Sequence, residues 1–263
     1  MGTLDRVNGH QSPPLPHSSA TGLWITPVRG RVALTALGWV LVYVAGVVVV
    51  VVLGMIAARA WGTGRPPAAP LALIVLAGTA LAALSAVRIH LLGRRCLTWA
   101  DLGLRRPDQS PLHLVWQIPA VMLAGMVASM LVLIPLAPAD QDGNEATGAS
   151  AAIGDLVSGG PAFLVAGLFT VAVLVPFVEE IIFRGIVLPA LRARYRSAVG
   201  IPLAGAVFAA VHFVPLALPY LLVVGIALCA MAQWYRSIVP GIVLHGVNNA
   251  IVFGGVVAGT GAL

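Results

Sequence analysis

The sequence predicts an all-α, polytopic transmembrane helical bundle of about seven spans, within a range of six to eight, with a cytoplasmic N-terminus. Three observations predict it. Hydrophobic residues make up 59% of the 263-residue chain and charged residues only 9%, whereas an ordinary water-soluble domain has about 25% charged residues. Seven apolar runs follow one another, most of them close to the roughly 20 residues a helix needs to cross a bilayer. The remaining charges are distributed very unevenly between the loops.

Residues 1–31 are polar and rich in Pro, Ser and His, and are expected to form a disordered tail. Residues 32–263 read as a single transmembrane domain, with the functional core over about 112–259. The first run, 32–58, contains a Val tract that favours strands in water. In lipid a lone segment must satisfy its own backbone, so it is expected to be helical. It is too long for a signal-peptide core, and no small-residue cleavage site follows it, so it reads as a retained span.

The second run is 70–92. The third is 112–137, with Pro119 and Pro135 expected to mark kinks or ends. The connection 138–160 carries Asp140, Asp142, Glu145 and Asp155 with no Arg, and reads as an external loop. The fourth run is 161–191, the fifth 199–213, the sixth 217–234 and the seventh 238–259. The fifth is short, and Pro215 and Pro219 follow it closely.

The net charge is +6, and all fifteen basic residues are Arg. With the N-terminus inside, twelve arginines fall in cytoplasmic segments, Arg59 and Arg65 fall outside, and Arg184 lies within a span. That asymmetry follows the positive-inside rule, and an odd number of spans then places the C-terminus outside. Arginines in short loops beside anionic lipid are topology determinants, so no nucleic-acid partner is expected. The absence of Lys points to a GC-rich genome, and so to a bacterial plasma membrane. Cys96 and Cys229 form no spaced pair and no metal-binding pattern. No internal repeat of the kind found in many transporters is evident.

Polar residues at membrane depth are costly and mark functional sites. The fourth run contains Glu179, Glu180 and Arg184. Glu180 and Arg184 are four apart with Glu on the N-terminal side, the favourable order for a helical ion pair. Glu179 lies about 100° further round the helix. The simplest division makes Glu180 and Arg184 a supporting pair and Glu179 a reactive carboxylate facing a cavity. His212 lies in the fifth run, with Phe208 one turn before it. His245 and Asn249 share a face of the seventh, while Asn248 falls on another face. At helical rise, Glu179 is about 20 Å from the nearest Arg loop, His212 about 24 Å and His245 about 14 Å. All three depths lie within a bilayer, so the groups can converge.

A carboxylate, two imidazoles and an amide in a water-accessible pocket suit hydrolysis. The carboxylate takes a proton from water, a His positions that water, and donors stabilise the tetrahedral intermediate. A zinc version would recruit Glu179, His212 and His245 as ligands. The chain has no HExxH, no GxSxG and no pair of membrane-buried Asp residues. Two other classes use the same residues: a proton-coupled carrier with a Glu/His relay, and a catalytically silent membrane scaffold.

The set Glu179-Glu180…Arg184, Phe208…His212 and His245…Asn249 resembles the EExxxR, FxxxH and HxxxN motifs of the CPBP (CAAX protease and bacteriocin-processing, also called Abi) intramembrane proteases. That family includes the type II CAAX prenyl endopeptidases. The resemblance covers residues from about 97 onwards. It includes Leu102-Gly103-Leu104-Arg105-Arg106 ahead of a span and Tyr235-Arg236-Ser237-Ile238-Val239-Pro240 leading into the last motif. It implies an all-α membrane bundle whose site opens to the cytosol and cuts a membrane-associated peptide, prenylated or bacteriocin-like. Carried over by position, Glu179 is the general base and His212 its partner on the water. His245 and Asn249 stabilise the oxyanion, and Glu180, Arg184 and Phe208 support the site. Both metal-dependent and metal-independent mechanisms are described for the family. The expectation here is no obligatory metal, with zinc as the alternative.

Overall fold

The computed structural model describes residues 30–62, 67–94, 97–136 and 148–260. The expected N-terminal tail, Cys96, Arg65 and most of the acidic connection lie outside the described residues. Among those described there are eight helices: α1 (Gly30–Ala60), α2 (Ala68–Gly93), α3 (Pro111–Leu133), α4 (Gly148–Ser158), α5 (Pro161–Arg192), α6 (Ser197–Ala210), α7 (Pro215–Tyr235) and α8 (Val239–Gly259). Six of them are long and apolar enough to cross a membrane, all but α4 and α6. The seven apolar runs are therefore all helical. The fifth, α6, has 14 residues, a length of about 21 Å against a hydrocarbon core of about 30 Å.

Helices α1 and α2 run antiparallel, and small side chains let them approach. Ala33, Ala36 and Val40 of α1 are buried in one cluster with Ala80, Ala83, Ala86 and Val87 of α2. Lipid-like surroundings supply no hydrophobic force between helices, so close van der Waals packing of small residues holds them. The outer face of α1, including Leu41, Val50 and Leu53, is exposed. Helix α6 packs along α7 at Gly205 and Gly225. A methyl group on Gly205 would lie 2.7 Å from the Ile226 backbone nitrogen, so only Gly permits this crossing.

Helix α3 passes through Pro119 without ending, and Pro135 sits in the 3-10 turn that closes it. The connection 138–160, expected to be an external loop, contains the helix α4. Ile153 and Leu156 are buried there against Phe253 and Val257 of α8, with Leu73 and Leu76 of α2 packed alongside. Their spacing of three, with Val157 beside them, is a helical stripe, and the Asp residues around it draw attention away from it.

At the arginine-rich end, the segment after α2 docks on the junction between α7 and α8. Gly103 O accepts from Ile238 N at 3.0 Å, and Tyr235 O accepts from Asp108 N at 2.9 Å. Arg105 Nε donates to Arg236 O at 2.7 Å, and Ser237 Oγ donates to Arg105 O at 2.6 Å. Arg236 pairs with Asp108 at 3.0 Å and adopts a left-handed φ of 51°. The Leu102–Arg106 and Tyr235–Pro240 elements are thus one joint, which sets where α8 enters the bundle.

Candidate active site

Helix α5 carries the carboxylates on an irregular backbone. It widens into π-helical turns at Thr170–Leu174 and Phe183–Val187, on either side of the α-helical segment Val175–Ile182. Such turns are frequent at functional sites. The flanked segment keeps Glu179 and Glu180 on different faces.

Glu180 and Arg184 are both fully buried, with Arg184 Nη1 2.8 Å from Glu180 Oε1. This is the pair expected from the four-residue spacing. Arg184 also donates through Nη2 to Gly225 O of α7 at 3.2 Å, and its Cζ lies 4.6 Å from the Phe208 ring centre. One guanidinium therefore joins α5, α6 and α7. A buried ion pair brings little net stability, yet removing one partner costs about 3–5 kcal/mol because it strands the other charge.

His245 is placed between the two carboxylates. Its Nδ1 is 3.1 Å from Glu180 Oε1, and its Nε2 is 3.6 Å from Glu179 Oε2. Glu180 Oε1 already accepts from Arg184, so the His245 proton belongs on Nδ1. The i,i+4 reading of α5 did not anticipate this third partner. Space for Glu180 comes from Gly241, where a methyl group would lie 2.8 Å from Oε2. Gly246, one residue after His245, faces Ala172 O, which a methyl group would meet at 2.5 Å. These glycines let α8 lie against α5.

Glu179 has a side chain 24% exposed, and its Oε2 has no hydrogen-bond partner. It lines a cavity of about 470 Å³ between α1, α2, α5 and α6. Leu37, Val40, Val44, Ala83 and Val178 form much of its apolar wall, and Glu179, His212 and Thr79 are its polar side chains. Leu41, 70% exposed, also lines it, so the cavity reaches the apolar perimeter of the bundle.

His212 lies just beyond the end of α6, not inside a helix as the apolar run had implied. Its Nδ1 is 2.7 Å from Phe208 O. A carbonyl only accepts, so Nδ1 carries a proton, and in the neutral ring Nε2 keeps a lone pair. The next residue, Phe213, has φ 52° and is exposed. A left-handed Phe is strained, and such outliers cluster at functional sites. The Phe208 ring meets His212, His245 and Phe183 edge-on, with centroids 4.7, 5.7 and 5.1 Å apart. It is the shared wall between the two histidines.

Asn249 Nδ2 donates to Val171 O, within the first π-helical turn, at 3.1 Å. Its Oδ1 accepts from Asn248 Nδ2 at 3.3 Å, and Asn248 Oδ1 accepts from Tyr220 OH. Asn248, set on another face by the sequence reading, is thus tied to the site through Asn249. Tyr220 was missed; a phenol within an apolar helix is a signal that a buried partner awaits it. Neither His245 nor Asn249 lines the 470 Å³ cavity.

A zinc site needs several ligands about 2.0–2.2 Å from one point. Among the described residues no three His, Cys, Asp or Glu side chains gather in that way. Glu179 and His245 approach each other to 3.6 Å, but no third such side chain joins them in one group among the described residues. The residues do not fit a preformed three-ligand zinc site.

The fold and site together define an integral, multi-pass membrane protein with a buried carboxylate, guanidinium and imidazole cluster beside an apolar cavity. Residues 161–251 match the family described as Rce1-like: Type II CAAX prenyl endopeptidase Rce1-like. That segment carries all three motifs, which bears out the resemblance to the CPBP proteases. At family level the match supports a CAAX endopeptidase-like protease, with a membrane-associated peptide as substrate. No curated protein and no solved structure matches the chain.

Proposed function

We propose that the protein is an intramembrane endopeptidase that hydrolyses a peptide bond next to a lipid-modified or otherwise membrane-embedded segment. The observation that carries this reading is that Glu179 and His212 both lie on the wall of a mainly apolar cavity that opens at the perimeter. An apolar chain can pass laterally from lipid into this cavity without leaving apolar surroundings, and the scissile bond would follow it towards the two polar groups.

In this mechanism a water lies between Glu179 and Nε2 of His212, both acceptors. They orient it, and Glu179 takes its proton as the oxygen attacks the carbonyl carbon. Collapse of the tetrahedral intermediate breaks the C–N bond, and Glu179 returns the proton to the leaving amine. Asn249, outside the cavity wall, spends one amide hydrogen on Val171 O and keeps a second for the oxyanion where the bound peptide extends the site towards α8. His245 stands beside Glu179, where its Nε2 can share the proton during transfer. Glu180 and Arg184 hold His245 in place. No obligatory metal enters this scheme. By the distribution of arginines, the site opens to the cytoplasm of a bacterial plasma membrane.

The test is cleavage of fluorogenic peptides, farnesylated and unmodified, by purified protein in lipid. Wild type is expected to cut, Glu179→Gln and His212→Ala are expected not to, and added chelator is expected to leave the rate unchanged. Proton-coupled solute uptake in proteoliposomes without any hydrolysis would overturn the reading in favour of a carrier.

A further inference from the structure

A second cavity lies away from the Glu179 cavity. Where the first turns of α1 meet the last turn of α2, about 300 Å³ is bounded by Val32, Thr35, Trp39, His90, Leu91 and Arg94. Its polar side chains are Thr35, His90 and Arg94. Arg94 is exposed, and no carboxylate pairs with it among the described residues. His90 is only 8% exposed, and its Nε2 is buried with no hydrogen-bond partner. Leaving such a buried nitrogen unpaired is unfavourable.

The His90 ring is also held in a fixed orientation. Trp39 stacks on it at 4.2 Å with planes 7° apart, and Tyr43 meets it edge-on at 5.8 Å. The backbone beneath is π-helical over Arg88–Gly93, a distortion that is common where a helix serves a ligand. Arg31 and Arg88 belong to the same end of the two helices. This end is where a spanning helix meets lipid phosphates, and Trp and Arg are typical of that depth.

We propose that this cavity binds a phosphate group, presented by the headgroup of an anionic phospholipid. His90 Nε2 and the Arg94 guanidinium would take the phosphate oxygens in charge-assisted bonds, and Trp39 would form the apolar side of the seat. The ligand removes the cost of the unpaired imidazole and supplies an anion for Arg94, which has no carboxylate partner among the described residues. Thr35 spends its hydroxyl hydrogen on Arg31 O at 2.8 Å, so it contributes a lone pair and no donor.

The experiment is native mass spectrometry of the full chain in detergent, titrated with phosphatidylglycerol, phosphatidylcholine or inorganic phosphate, with unfolding temperature measured in parallel. Wild type is expected to retain phosphatidylglycerol in preference to phosphatidylcholine and to be stabilised by it. Arg94→Gln, at an exposed position, and His90→Phe, which keeps the stack on Trp39, are each expected to lose about tenfold in affinity, the worth of one charge-assisted contact. Stabilisation by inorganic phosphate alone, lost in both variants, would keep the site and reassign its source to free phosphate. Equal retention of both lipids with no effect of phosphate would overturn the proposal. So would undiminished phosphatidylglycerol binding by Arg94→Gln.

Discussion

Nδ1 of His245 lies 3.1 Å from Oε1 of Glu180, the same oxygen that Arg184 holds at 2.8 Å. The last helix of the bundle is therefore anchored to the fourth apolar run through one carboxylate oxygen. This contact turns the Glu180–Arg184 pair from an internal feature of α5 into the element that sets the position of His245, and through it the surroundings of Glu179.

Glu179 is expected to be separable from the fold. Its side chain is partly exposed to the cavity, and its Oε2 has no hydrogen-bond partner. Glu179→Gln should therefore retain wild-type yield and unfolding temperature. Loss of the general base should lower kcat by about 10²- to 10⁴-fold. Peptide cleavage together with a thermal melt checks both halves, and unchanged kcat would remove Glu179 from the role of base.

Glu180 and Arg184 should behave in the opposite way. Either Glu180→Ala or Arg184→Ala leaves a buried charge unpaired and should destabilise by about 3–5 kcal/mol. The double variant Glu180→Leu/Arg184→Met replaces both groups with apolar ones of similar size. It is expected to recover much of the stability but not the activity, because His245 has lost its anchor. A double-mutant cycle on unfolding free energy and kcat reads the two effects apart.

The close approach of α8 to α5 can be tested with single methyl groups. In Gly241→Ala the new carbon would press on Glu180 Oε2, a side-chain atom that can yield. In Gly246→Ala it would meet Ala172 O, a backbone atom that cannot. Each should cost about 1–3 kcal/mol as overpacking, with Gly246→Ala the more destabilising and Gly241→Ala the more damaging to cleavage. Unfolding midpoints and relative kcat values for the two variants measure this reversal of order.

The chain of hydrogen bonds from Tyr220 through Asn248 and Asn249 to Val171 O predicts a positioning role for the phenol. Tyr220→Phe leaves the buried Asn248 carbonyl without its donor, at a cost of about 1–3 kcal/mol. If Asn249 serves the oxyanion, kcat should fall with KM little changed, since the intermediate and not the ground state loses a contact. A loss confined to stability, with kcat intact, would limit Tyr220 to packing.

Much of this architecture is legible from residue order. The seven apolar runs became helices close to the expected limits, because a backbone in lipid has few other ways to satisfy its hydrogen bonds. The Glu180–Arg184 pair was also legible, since both ends lie on one helix and the distance depends only on local geometry. Helix α4 was not, because its short stripe of Ile153, Leu156 and Val157 is set among acidic and glycine residues. His212 was assigned to the interior of a helix because Val211 and Phe213 continue the apolar run. Its turn depends on a left-handed Phe213 that composition does not reveal.

What the sequence determined by itself is a membrane bundle with three sets of polar residues at compatible depths, in the order of a known protease family. Hydropathy and spacing within one helix are properties of the chain, and they survive folding unchanged. Only the tertiary structure decided that His245 takes Glu180 as its partner and reaches Glu179 with its other nitrogen. It also decided that Asn249 commits one hydrogen to Val171 O, and that Glu179 and His212 share an apolar cavity. Those facts depend on how α5, α6 and α8 cross, and the crossing is set by the π-helical turns of α5 and by glycines that admit a neighbouring backbone. A π-helical turn rotates every face beyond it, so counting residues along an ideal helix cannot show which groups meet across the bundle.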